Sequence, residues 1–231
     1  MAPTYLFAGD SITGWSDLSR WLKYSHFVEL MIEGRCGPNR VRVLNRGIGG
    51  NTTGQLLERL KTDVLHDMPD VTVLLIGGND AMTAVPREET ARNLDQILIR
   101  IKGCCSRILL LQYHLLPYPG KEDEAWLPLK SNNDLIADAA KHHGCALLDM
   151  NAAMWASLDR DEHIPSEDYR DFPGWRGETK YFIADLVGTD GVHMTPGGEL
   201  VYARSIFEKL RQLDWLPPEF SIGFPSDRLD N

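Results

Sequence analysis

The sequence predicts an α/β domain in which a mainly parallel, five-stranded sheet lies between two layers of helices. Short apolar runs alternate with longer amphipathic ones in a repeating order, the pattern of strands joined by crossover helices. Two runs, Val71-Thr72-Val73-Leu74-Leu75-Ile76 and Ile108-Leu109-Leu110-Leu111, are apolar at nearly every position, as strands covered on both faces are. A length of 231 residues with 43% hydrophobic content suits one medium-sized domain with a substantial core.

The first strand is expected over Tyr5 to Ala8, a buried run that leaves through the polar corner Gly9-Asp10-Ser11. A helix follows over roughly Ser19 to Glu33. The second strand, Val41 to Asn45, runs into Gly47-Ile48-Gly49-Gly50-Asn51-Thr52, and the next helix covers Thr53 to His66. The third strand, Val71 to Ile76, ends in Gly77-Gly78-Asn79-Asp80, ahead of a helix over Arg87 to Lys102. Arg107 to Gln112 is the fourth strand, Leu129 to His143 the next helix, and Ala146 to Asp149 the fifth strand. The last helix spans Gly197 to Leu213. A single domain over residues 1–216 is expected, with long loops at 114–128 and 159–187. Loops this long inside a compact domain are often lids or binding loops, and the second carries Tyr169, Phe172, Trp175, Tyr181 and Phe182. The tail, 217–231, is rich in turn formers and is expected to pack loosely or against a partner.

Charge and composition exclude several classes. A net charge of -9 and no basic patch disfavour nucleic-acid binding, which concentrates Lys and Arg. No apolar stretch is long enough for a bilayer span, and the N-terminus lacks the features of a secretory leader. Cys36, Cys104, Cys105 and Cys145 form no CxxC pair and no disulfide framework. A cytoplasmic setting is the simplest expectation. A homo-oligomer is allowed.

Ligands of open parallel sheets bind outside the carboxyl ends of the strands, so the corners matter most. Each corner is weak alone, because Gly-Asp-Ser is common turn chemistry. Together they supply what a serine nucleophile needs: a base, an orienting acid and donors for an oxyanion. Ser11 leaves the first strand. Near the C-terminus, Asp190-Gly191-Val192-His193 precedes the last helix, and Gly191 permits a turn that brings Asp190 to Nδ1 of His193. Nε2 would then face Ser11. The backbone N–H groups of Ser11 and Gly50 and the amide of Asn79 are the candidate donors.

These blocks resemble the SGNH, or GDSL-type, hydrolase superfamily. They read G-D-S-I-T with Ser11, N-R-G-I-G-G-N-T with Gly50, G-G-N-D with Asn79, and D-G-V-H with Asp190 and His193. They stand in the family's order and span nearly the whole chain. The resemblance implies a flavodoxin-like fold, Ser11 as nucleophile, His193 as general base and then acid, and Asp190 as its orienter. It implies an oxyanion hole of Ser11, Gly50 and Asn79, and no metal or organic cofactor. The expected function is hydrolysis of short-chain carboxylic esters, with an acetyl or similar small acyl group on a carbohydrate or small alcohol. Activity should be highest at neutral to mildly alkaline pH, where the base is unprotonated. A lysophospholipase or thioesterase of the same fold, or a silent carbohydrate- or partner-binding module, is the alternative. The corner Gln112-Tyr113-His114 matches no motif.

Competing motifs fail on particular residues. Gly47-Ile48-Gly49 opens like a dinucleotide fingerprint, but Thr52 stands where the third glycine belongs. Gly49 to Gln55 mimics a P-loop with glutamine in place of its lysine. The G-x-S-x-G elbow of α/β-hydrolases is absent around Ser11. His142, His143, Cys145 and Asp149 do not share a face, which argues against a metal site. Asp10 and Asp80 read as local turn and hydrogen-bonding residues.

Overall fold

A computed structural model describes residues 2–14, 18–105, 107–116, 126–158, 183–188 and 190–220. Five strands, β1 (Thr4–Gly9), β2 (Arg42–Gly47), β3 (Val71–Leu75), β4 (Arg107–Gln112) and β5 (Ala146–Asp149), pair in the order β2-β1-β3-β4-β5. Every pair is parallel. All residues of β1 and β3 are buried, whereas the edge strands β2 and β5 are half-buried. The all-apolar runs noted in the sequence are therefore the central strands, covered on both faces.

The chain steps outward from β1 to β2 and then back past β1 to β3. Because crossovers are right-handed, this reversal puts the connecting helices on opposite faces. α1 (Tyr24–Cys36) packs with α8 (Pro196–Gln212), and α8 with α6 (Met150–Ser157). α2 (Thr53–Asp63) packs with α4 (Arg87–Lys102), and α4 with α5 (Leu127–His143). The reversal also opens a crevice between the carboxyl ends of β1 and β3, where ligands of doubly wound sheets bind.

Two short helices beyond the expected set are α3 (Gly78–Met82), which follows β3 and packs with α5, and α7 (Ile183–Leu186), which packs with α8. α6 is the third addition; it starts directly after β5, where Asp149 Oδ1 accepts the Ala152 N–H at 2.9 Å and caps it. The helix expected over Ser19 to Glu33 is instead a 3-10 turn at Arg20–Leu22 followed by α1. Lys23 breaks it, because its extended backbone sends the ammonium inward to Glu199 of α8. The other Glu199 oxygen accepts the Tyr24 N–H at 2.7 Å, so a carboxylate from α8 caps α1. α2 stops at Asp63, short of the expected His66, and a 3-10 turn over Leu65–Asp67 takes its place. Its start follows the sequence: Thr52 and Gln55 form a reciprocal capping box.

Most of both expected loops, 117–125 and 159–182, lies outside the described residues, as does 221–231 of the tail. The first part of the tail folds back on α1, where the Phe220 N–H donates to Arg35 O at 3.1 Å. Among the described residues no helix is long and apolar enough to cross a membrane.

Candidate active site

Ser11 sits half-buried at the exit of β1. The turn before it is built on Asp10, whose Oδ1 accepts the Ile12 N–H at 2.9 Å and whose Oδ2 accepts the Tyr113 hydroxyl at 2.6 Å. Burial pushes the Asp10 carboxyl up to about 6, against the pull of these hydrogen bonds and of His193 and Lys23. The first two corners meet backbone to backbone. A Cβ on Gly14 would lie 2.6 Å from the Gly47 carbonyl, and one on Gly47 would lie 2.2 Å from Gly14 N, so glycine is required on both sides. Asn45 of β2 donates to Thr13 O at 2.6 Å and seals the same junction.

The D-G-V-H segment forms a closed turn between α7 and α8. The Gly188 N–H donates to His193 O at 2.7 Å, and Gly191 takes a φ of +70°, a conformation that suits glycine. Asp190 Oδ1 accepts the N–H groups of Val192 and His193, both at 2.9 Å. Its Oδ2 lies 2.5 Å from His193 Nδ1, and His193 Nε2 lies 2.8 Å from Ser11 Oγ. Burial raises the Asp190 carboxyl, but the bonds from His193 and the two N–H groups outweigh it and hold it below the ordinary carboxylate range. An ionised Asp190 can only accept, so Nδ1 carries the imidazole proton and Nε2 is left to accept from Ser11. Hydroxyl, imidazole and carboxylate thus lie in one continuous hydrogen-bonded series.

Asn79 lies in the first turn of α3, and its Nδ2 donates to Asn51 O at 3.0 Å. Arg59 of α2 fixes this corner from behind, donating to Asn51 Oδ1 at 2.7 Å, Arg46 O at 2.8 Å and Gly9 O at 3.0 Å. Gly50, one residue before Asn51, is exposed, and nothing lies within 4 Å of where its Cβ would be. Asp80 is fully buried and turned away from this work. It accepts the Thr53 N–H at 2.8 Å and the hydroxyls of Thr53 and Thr90 at 2.5 and 3.3 Å, which ties α2 and α4 to the third corner. Both Asp10 and Asp80 are hydrogen-bonding residues as read from the sequence, but only the Asp10 bond to the Ile12 N–H is local; Asp10 also reaches Tyr113, and Asp80 reaches Thr53 and Thr90, across the fold.

Ser11 and Asn79 line one small cavity of about 40 Å³, together with Ile12, Met82, Tyr113 and Val192. A larger groove of about 390 Å³ runs along β2 past Trp21, His26 and Glu29. It contains none of the relay residues, so chemistry and not size identifies the site. His142 and His143 gather with Asp95 of α4, their ligand-type atoms within 4.8 Å of one another; His143 Nε2 lies 2.8 Å from Asp95 Oδ1.

Sequence reasoning passed over the fourth corner. Tyr113 holds Asp10, and the buried His114 reaches Val192 O, one residue from His193. Both follow a strand, which was the available signal, but no motif marks them.

The fold brings Ser11, His193 and Asp190 together at the switch point of a parallel α/β sheet. The GDSL-like Lipase/Acylhydrolase family model matches residues 7–199, and the chain belongs to this family. An arylesterase of Vibrio mimicus is 31% identical over 81 residues, which cover 35% of this chain and 40% of the relative. The uncharacterized lipoprotein YqeF of Bacillus subtilis is 27% identical over 88% of this chain and 86% of its own length. Among solved structures, LAE5, described as an alpha/beta hydrolase enzyme from the metagenome of Lake Arreo, Spain, superposes with a TM-score of 0.72 at 24% identity, covering 94% of this chain and 99% of that one. A catalytic mutant of Axe2, an acetylxylan esterase from Geobacillus stearothermophilus, gives 0.69 at 20% identity over 94% and 98%. At these identities the likeness to the solved structures is one of fold.

Proposed function

We propose that the chain is a serine esterase that removes an acetyl or similarly small acyl group from a carbohydrate or small alcohol. The observation that carries this reading is the unbroken relay from Ser11 Oγ through His193 to Asp190. Ser11 Oγ attacks the acyl carbonyl carbon while its proton passes to His193 Nε2. The resulting imidazolium is stabilised by Asp190, which keeps its negative charge. The tetrahedral oxyanion is received by the N–H groups of Ser11 and Gly50 and by Asn79 Nδ2, donors that add no competing charge. Collapse breaks the bond to the alkoxy oxygen, which leaves with the proton from Nε2. Water then attacks the acyl-enzyme, giving a proton to Nε2, and the second collapse returns that proton to Ser11 Oγ and frees the carboxylic acid.

The small cavity beside Ser11 supports the choice of a small acyl group. Roughly 10–15 Å³ of such space accommodates one water molecule, so about 40 Å³ favours a short acyl group over a long chain. The alcohol portion is then left to the open side of the site. Replacing Ser11 with alanine tests the proposal. Hydrolysis of p-nitrophenyl acetate should vanish while the melting temperature stays near wild type, and a Ser11→Ala protein with wild-type turnover would refute the mechanism.

A further inference from the structure

We propose that His114 is a positioning residue for His193, acting through the Val192 carbonyl, with Tyr202 setting the imidazole tautomer that makes this contact. The inference rests on the serine-esterase reading above. His114 is 4% exposed at the end of β4, and its Nε2 lies 3.1 Å from Val192 O. A carbonyl oxygen can only accept, so Nε2 carries the hydrogen. Nδ1 is therefore bare, and it lies 2.8 Å from the hydroxyl of Tyr202, a fully buried residue of α8. That hydroxyl donates to Nδ1 and accepts the backbone N–H of His114 at 3.4 Å. The rings meet edge to face, 5.7 Å apart at 86°. Burial lowers the His114 pKa to about 4, so the ring stays neutral where an esterase of this kind works.

The consequence falls on a single peptide unit. The Val192–His193 peptide has its oxygen held by His114 and its N–H held by Asp190 Oδ1 at 2.9 Å. Fixing both ends of a planar unit fixes its rotation, and hence the direction in which His193 leaves the chain. The D-G-V-H turn is partly exposed, the side chains of His193 and Asp190 being 32% and 47% accessible. His114 thus couples a surface turn to the sheet at the atom that most directly orients the base. A misplacement of about 1 Å at a reacting group can cost about a hundredfold in rate.

His114→Phe keeps the ring's bulk and removes the donor. With p-nitrophenyl acetate it should lower kcat by roughly tenfold to a hundredfold with little change in KM. The downfield proton NMR signal of His193 Nδ1–H, which reports the bond to Asp190, should shift or broaden. His114→Gln, whose amide can donate to Val192 O and accept from Tyr202, should restore both kcat and the signal. Tyr202→Phe leaves the packing in place and frees the tautomer, so it should lower kcat and disturb the same signal; it carries the test if His114→Phe does not fold. Wild-type kcat and an unchanged His193 signal in a folded His114→Phe or Tyr202→Phe protein would overturn the inference. An enzyme whose wild type hydrolyses no ester would instead refute the esterase reading, and the NMR signal would still decide the role of His114.

Discussion

The Tyr113 hydroxyl donates to Asp10 Oδ2 at 2.6 Å across 103 positions of sequence. The bond joins the corner after β4 to the residue immediately before Ser11. It is buried at both ends, where a charge-assisted hydrogen bond is short and strong. Tyr113 also lies against the third corner: a Cβ on Gly78 would stand 2.7 Å from the Tyr113 ring. One phenol therefore sets the distance between the corners that carry Ser11 and Asn79.

Asp10 should give stability a pH dependence. Its carboxyl titrates at about 6 when folded, against an ordinary value of 3.8. Between those values the folded protein holds a proton that the unfolded chain has released. Its contribution is greatest below about pH 4 and is lost as the pH rises through about 6, by on the order of 3 kcal/mol. Asp10→Asn keeps an acceptor for the Ile12 N–H and should flatten this slope. Glu199, pushed up to about 7 by burial, acts in the same direction in both proteins, so the difference isolates Asp10. Urea midpoints from pH 4 to 7 measure it, and parallel curves for the two proteins would contradict the assignment.

Asp190→Asn should disable the relay while sparing the turn. The asparagine oxygen can still accept from the N–H groups of Val192 and His193, but its amide nitrogen would donate to Nδ1. The imidazole proton would move to Nε2, which could no longer accept from Ser11. By analogy with other orienting acids, kcat should drop by roughly 10⁴, with an unchanged circular dichroism spectrum. Steady-state kinetics on p-nitrophenyl acetate decides the matter.

Asn79→Ala should lower kcat by roughly a hundredfold to a thousandfold, the cost of one oxyanion donor, and leave KM nearly unchanged. The loss should appear in the chemical step, so single-turnover acylation is the measurement. Acylation at the wild-type rate would remove Asn79 from the hole.

Acyl chain length should be read out by the cavity beside Ser11. Groups that overfill a packed site cost about 1–3 kcal/mol. The kcat/KM for p-nitrophenyl octanoate should therefore fall roughly fivefold to a hundredfold below that for the acetate. A rising profile from acetyl to octanoyl would favour the lysophospholipase or thioesterase reading.

Much of this architecture was legible in the chain. Continuous apolar runs marked β1, β3 and β4, because a strand covered on both faces must be largely apolar, while shorter apolar segments marked the half-buried edges β2 and β5. Glycine-rich corners marked where the sheet opens, because strand ends that approach one another closely exclude side chains. The spacing of Asp190 and His193 around Gly191 made their contact readable, because a four-residue turn brings i and i+3 together. The break at Lys23 was not legible: it depends on Glu199, 176 positions away. Tyr113, His114 and Arg59 were missed for the same reason, since each acts through a partner that no local pattern names.

Periodicity, turn chemistry and short-range spacing in the chain account for the strands and the four residue blocks at the sheet's open end, and those blocks carry the likeness to the family. The tertiary structure decided how those blocks meet. Ser11 and His193 are 182 positions apart, yet His193 Nε2 lies 2.8 Å from Ser11 Oγ, because β1 lies inside the sheet and α8, which the D-G-V-H turn precedes, is packed on α1. The braces that hold them, Tyr113 on Asp10 and His114 on Val192, exist only once β4 is laid beside β3, since a hydrogen bond over such a span needs both ends fixed by the packed core.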